Sequence, residues 1–176
     1  MIQKAKLVFV FLLLLIPGVS WAQGAAPDSH HVHRHRLIGS RAKTGMFHAT
    51  NLYYHADPSR QLDFVLAKQN AEEIARAADL IEKNTLALQR EVSPEDGEIL
   101  AEDIRGTLKA CSQAKLEARV LQKELAKKQP SQEVVRKQAQ AFFHLMKKIL
   151  GYHQSAEAKF GIVPTPDPPA PPEPKD

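Results

Sequence analysis

The chain has 176 residues, with 24 Lys and Arg against 20 Asp and Glu and a single cysteine. That length is enough for one domain with a real core. The near balance of charge gives no argument for a nucleic-acid partner, and one cysteine excludes an internal disulfide.

Lys4 and Lys6 precede an unbroken apolar run from Leu7 to Ile16 that Pro17 and Gly18 end, and Ser20-Trp21-Ala22 follows. A basic start, a short apolar stretch and a small-x-small exit make up a secretory signal peptide, here residues 1–22 with cleavage after Ala22. A bilayer span takes roughly 20 apolar residues, more than Leu7 to Val19 supplies. No cysteine stands at the cleavage site, so lipid attachment is not expected. The sequence thus predicts export, to a periplasm or the extracellular space. Removing Lys4 and Lys6 brings the basic and acidic side chains closer still to balance.

Residues 23–56 carry six of the eight histidines, many small residues and little periodicity. They are expected to form a largely irregular leader, with 37–54 weakly helical at best. In an extended chain His31, His33 and His35 project to one side, and neutral imidazole suits Zn, Cu or Ni. His30, His31, His33 and His35 are therefore the candidate metal ligands, with His48 and His55 as weaker additions. Arg34 and Arg36 oppose this by placing fixed positive charge beside the ion. A flexible polar leader whose histidines do nothing specific is the competing interpretation.

Three helices follow, announced by their starts. Asp57-Pro58 predicts an N-cap before a proline at the first helical position. Ser93-Pro94-Glu95-Asp96 repeats the device, and Pro130-Ser131-Gln132-Glu133 marks a third start. Gly161 suits the position just past the last helix. Apolar residues recur by threes and fours: Phe64, Ala67, Ala71, Ile74, Ala78, Ile81, Thr85, Leu88 and Val92 in the first helix. The second seam runs Leu100, Ile104, Thr107, Cys111, Ala114, Ala118, Leu121 and Leu125. In the third it runs Val135, Ala139, Phe142, Met146, Ile149, His153, Ala156 and Phe160. This heptad pattern, with links of about two residues, predicts an antiparallel, coiled-coil-like three-helix bundle over 57–161. A fourth helix, from 37–54 or from a second copy of the chain, would complete its core. Outward pairs are expected at Glu72/Arg76, Glu124/Lys128 and Glu133/Lys137. Residues 162–176, rich in proline, are expected to be an extended tail outside the core.

The chemistry looked for is mostly absent. The residues three before His144 and His153 are Ala141 and Leu150, so the Glu-x-x-His pairs of di-iron bundles are missing. Haem-attachment, zinc-protease, nucleophile-elbow and phosphate-loop patterns are missing too. Cys111 lies on a seam, which predicts a buried, inert thiol, and it meets His153 only if their levels along the bundle coincide. The chain is accordingly expected not to be an enzyme. Its layout is similar to that of small periplasmic metal-stress proteins, although no motif ties it to them. The leading expectation is a metal-binding protein of the cell envelope. The rival is a structural module that self-associates or pairs with another envelope protein through its heptad helices.

Overall fold

The computed structural model describes residues 29–162, with side chains from residue 33 onward. The signal segment and the proline-rich stretch beyond 162 lie outside the described residues. What is described is all-helical: α1 (Ser29–His55), α2 (Phe64–Glu91), α3 (Pro94–Leu125) and α4 (Gln132–Lys159). The helices pack as a bundle in which α1 touches α2 and α4, and α3 touches the same two. Neighbours run antiparallel. Arg34 near the start of α1 bonds Glu91 at the end of α2, Lys159 at the end of α4 bonds Asp103 near the start of α3, and Arg136 bonds Tyr53.

The seams expected from the sequence are buried, Phe64, Val92 and Phe160 excepted: Phe64 is exposed, and Val92 and Phe160 are half-buried. The main departure is α1. Among the described residues the leader is not irregular: a helix spans Ser29–His55. Ile38, Ala42, Met46, Ala49 and Leu52, with Ala56 just past its end, form its buried seam. Alanine supplies half of that seam, and Gly39 and Gly45 interrupt it, each lowering helix propensity by ~1 kcal/mol.

Those glycines are there for packing. A Cβ at Gly39 would lie 2.4 Å from His153 Nε2, and one at Gly45 would lie 2.8 Å from Met146 Sδ. On α3, a Cβ at Gly106 would lie 2.4 Å from Tyr152 Cζ. Three bulky side chains of α4 thus sit in notches on its two neighbours.

The helix ends also correct the sequence reading in places. Asp57-Pro58 does not start α2. Asp57 Oδ1 instead accepts from Ser59 N and Oγ at 2.9 and 2.8 Å, a turn inside the connection. The N-cap is Asp63, which accepts from the amides of Val65 and Leu66. Ser93 caps α3 and Ser131 caps α4 as expected. The α3–α4 link is longer than two residues, because Glu124 is buried and accepts the Ser131 amide at 2.8 Å while also pairing with Lys127, not Lys128. Arg76 pairs with Glu73 in place of Glu72. Gly161, at φ 68°, ends α4, with the Ile162 and Gly161 amides returning to the carbonyls of Glu157 and Ala158.

A paired substitution tests the notches. Nothing lies within 4 Å of a Cβ at Gly151 in α4, so Gly151→Ala should stabilise by ~0.5–1 kcal/mol through helix propensity alone. Gly39→Ala gains the same propensity but drives a methyl into the buried His153 ring, and overpacking of ~1–3 kcal/mol should leave it less stable. Urea unfolding midpoints of the two variants should move in opposite directions.

Candidate functional site

The notch at Gly39 places an imidazole between α1 and α4 at the end of the bundle where α1 begins. His153 is 6 % exposed and His35, across from it on α1, is 4 % exposed. Their ring centroids are 5.7 Å apart, and Phe160 closes over His35 at 6.3 Å. One turn along α4, Glu157 is 4 % exposed, and its Oε1 lies 3.0 Å from His153 Nε2. His153 Nδ1 and Glu157 Oε2 are buried without a hydrogen-bond partner. Buried polar atoms are normally satisfied, because leaving one bare costs ~1–3 kcal/mol.

Two spaces meet at this cluster. A cavity of about 20 Å³, walled in part by His35, Asp103, Thr107, Tyr152 and His153, lies on the core side. On the solvent side a cleft of about 440 Å³ runs between α1 and α4, lined by Arg36, Ser40, Lys43, Gln154, His153 and Glu157. The inner space is large enough for a single water-sized occupant, and the outer one gives access to the cluster.

Burial sets the protonation states. The His153 pKa falls from 6.5 to about 4, first through desolvation and then through the positive fields of His35 and Lys43. Burial raises the Glu157 carboxyl, opposed by Lys43 and Arg36. His153 is therefore a neutral imidazole at neutral pH, the form that binds metals.

The histidines expected to act together are separated by the helix. Successive residues turn by about 100°, so the extended arrangement of His31, His33 and His35 on one side does not exist; positions 31 and 35 are instead one turn apart. His33 is exposed while His35 faces the core. His30 and His31 lie in α1, with side chains outside those described. His48 Nδ1 is 2.9 Å from Asn70 Oδ1, which engages it in the α1–α2 contact, and His55 sits half-buried at the end of α1. Glu157 was missed by the sequence reading. The signal was present in its spacing, four residues after a histidine on a seam, on the helix face that turns inward.

Cys111 is buried and free, and its pKa is pushed up to about 12, chiefly by burial and then by the negative field of Glu82. It does not meet His153. Tyr152 packs on Gly106, more than a turn away along α3 from Cys111. Among the described residues no group of three or more His, Cys, Asp or Glu side chains is placed to hold a metal ion, and no helix is long and apolar enough to cross a membrane. No family model, curated protein or solved structure matches the chain.

Two measurements follow from these protonation states. Between pH 6.5 and about 4 the unfolded chain binds a proton on residue 153 that the folded chain refuses, so stability should fall as pH drops through that window, by about 2 kcal/mol at pH 5. Glu157 has the opposite sign, its contribution being lost as pH rises through its elevated folded value. In His153→Leu the fall between pH 7 and pH 5, read from urea midpoints of metal-free protein, should vanish. Separately, Cys111 should not react with a thiol reagent until denaturant is added.

Proposed function

We propose that the chain is an exported, non-enzymatic four-helix protein that takes up a divalent transition metal (Zn, Cu or Ni) where α1 begins and α4 ends, with His35, His153 and Glu157 as ligands. The observation that carries this reading is the burial of two imidazoles and a carboxyl group together, two of whose atoms have no hydrogen-bond partner among the described residues. Two nitrogens and an oxygen suit these ions. The three side chains are not placed around one point as they stand, so binding turns them toward a shared ion. It replaces the bond between His153 and Glu157 with bonds from both to the metal, and it uses donor atoms that the apo fold leaves unsatisfied. The cleft beside Arg36 and Lys43 is the route in.

The histidine-rich start of α1 belongs to the same end of the bundle. Exposed His33 gathers ions at the rim, and position 31 stands one turn before His35. Export rests on Lys4, Lys6, the apolar run Leu7–Ile16 and Ser20-Trp21-Ala22, and a cell-envelope location is where such a protein would meet free metal.

Calorimetric titration of the chain with Zn, Cu and Ni tests this. Deleting the leader would remove part of the core, so point variants are the right comparison. The expected result is one ion per chain, bound with micromolar or tighter affinity. His35→Gln, His153→Gln and Glu157→Gln should each weaken it at least ~10-fold, with helicity by circular dichroism retained. No binding sinks the proposal. Full binding by all three variants, lost only on replacing His30, His31 and His33, overturns it and assigns the metal to the start of α1.

A further inference from the structure

Helix α3 turns one side away from the bundle, since α2 and α4 take its other faces. That outward side is a stripe of exposed residues spaced by threes and fours, and its chemistry changes along its length. It starts with Glu98 and Glu102, passes Arg105 and Lys109, and ends with Lys123 and, just beyond the helix, Lys127. Between the two groups of cations Leu116 is 58 % exposed and Val120 is 46 % exposed. The acids lie at one end, the cations over the rest, and two large apolar side chains between them are left exposed by the described residues.

We infer that a second copy of the chain docks on this stripe, α3 against α3 and antiparallel, about a two-fold axis passing between Ser112 and Gln113. Such an axis makes the interface self-complementary, the same patch meeting itself in reverse. Glu98 then faces Lys127 of the other copy, whose ammonium also pairs with its own Glu124, and Glu102 faces its Lys123. Lys109 and Arg105 lie opposite Leu116 and Val120, where their aliphatic stems cover the apolar side chains while the charges reach water. Ser112, small and exposed, sits at the crossing point and lets the two backbones approach. A parallel alignment would oppose acid to acid and cation to cation. The reversed alignment removes both conflicts. Exposed ion pairs are individually weak and are screened by salt, so the association is modest and sensitive to ionic strength. The metal cluster is not needed for it.

Sedimentation equilibrium of the full chain at low and high salt reads the association directly. The chain should be a monomer–dimer mixture in about 20 mM salt, with the dissociation constant raised ~10-fold or more in about 500 mM salt. Lys123→Glu/Lys127→Glu should abolish the dimer. Adding Glu98→Lys/Glu102→Lys to the same chain should restore it, because the pattern is inverted but again self-complementary. Gln113→Cys in a Cys111→Ala background should form an interchain disulfide on mild oxidation. A monomer under every condition overturns the inference, as does association indifferent to charge reversal or not rescued by the fourfold variant. So does a chain that stays monomeric but sediments with phosphatidylglycerol vesicles, which would assign the stripe to a lipid surface.

Discussion

The close approach of α4 to its neighbours is the constraint from which the rest of the bundle follows. Large side chains of α4 need somewhere to go, and three glycines on α1 and α3 provide it: Gly39 under His153, Gly45 under Met146 and Gly106 under Tyr152. Each glycine weakens its own helix, and a helix with two of them is marginal alone. Packing against α4 returns more than propensity loses, since buried Phe142, Met146, Ile149 and Leu150 find dense contact only at short interhelical distance. The same approach carries an imidazole into the wall of α1. The candidate site is thus a consequence of how α4 packs.

A second set of contacts fixes how α1 slides along α2. Asn70 and Asn84, two heptads apart, are both buried, and each amide donates back to its own helix, to the carbonyls of Leu66 and Leu80 at 2.8 and 2.7 Å. That orientation leaves each Oδ1 facing α1. His48 meets one at 2.9 Å and Arg34 donates to the other at 3.3 Å, and these two residues are also two heptads apart. Arg34 then continues to Glu91 at 2.9 Å. An alanine-rich seam packs almost equally well after a slip of one turn, so polar pairs that match in only one register do the specifying, as a buried asparagine does in a coiled coil. Two of the six histidines weighed as metal ligands are drawn apart by this arrangement: His48 holds the register on α2, and His35 faces α4.

The parts of the structure legible in the sequence are those where local chemistry and tertiary packing agree. Ser93 and Ser131 cap helices because a hydroxyl beside free amides does so in any context, and the seams of α2, α3 and α4 are buried because heptad spacing has few other uses. Helix α1 was hidden for a physical reason. Its glycines look like breakers until the α4 side chains that occupy them are known, and its seam is half alanine. Asp57-Pro58 misled in the opposite way, since the signals for a helix start and for a tight turn are nearly the same, and the choice depends on how far the chain must travel to reach α2. The cluster at the bundle end was half visible. His153 stood out on its seam, but the partnership with His35 required α1 to be a helix, and without that Glu157 had nothing to serve.

Two polar pairs at the same end of the bundle show how the cluster differs from ordinary structural electrostatics. Asp103 and Lys159 tie α3 to α4: Lys159 donates to the carboxylate at 2.6 Å and to the Ile99 carbonyl at 3.0 Å, with its own side chain one-third exposed. That pair closes the helix ends and keeps one charge in contact with water. His153 and Glu157 are a few residues away on the same helix and lie deeper, with both members almost wholly buried. They link two positions of one helix, so they join no elements, and each leaves an atom unsatisfied. If holding α1 to α4 were the only requirement, a leucine or methionine at either position would do so without the desolvation penalty. A buried polar group that adds no connection and forgoes a hydrogen bond costs the fold stability, and at this cluster it lies beside a cleft open to solvent.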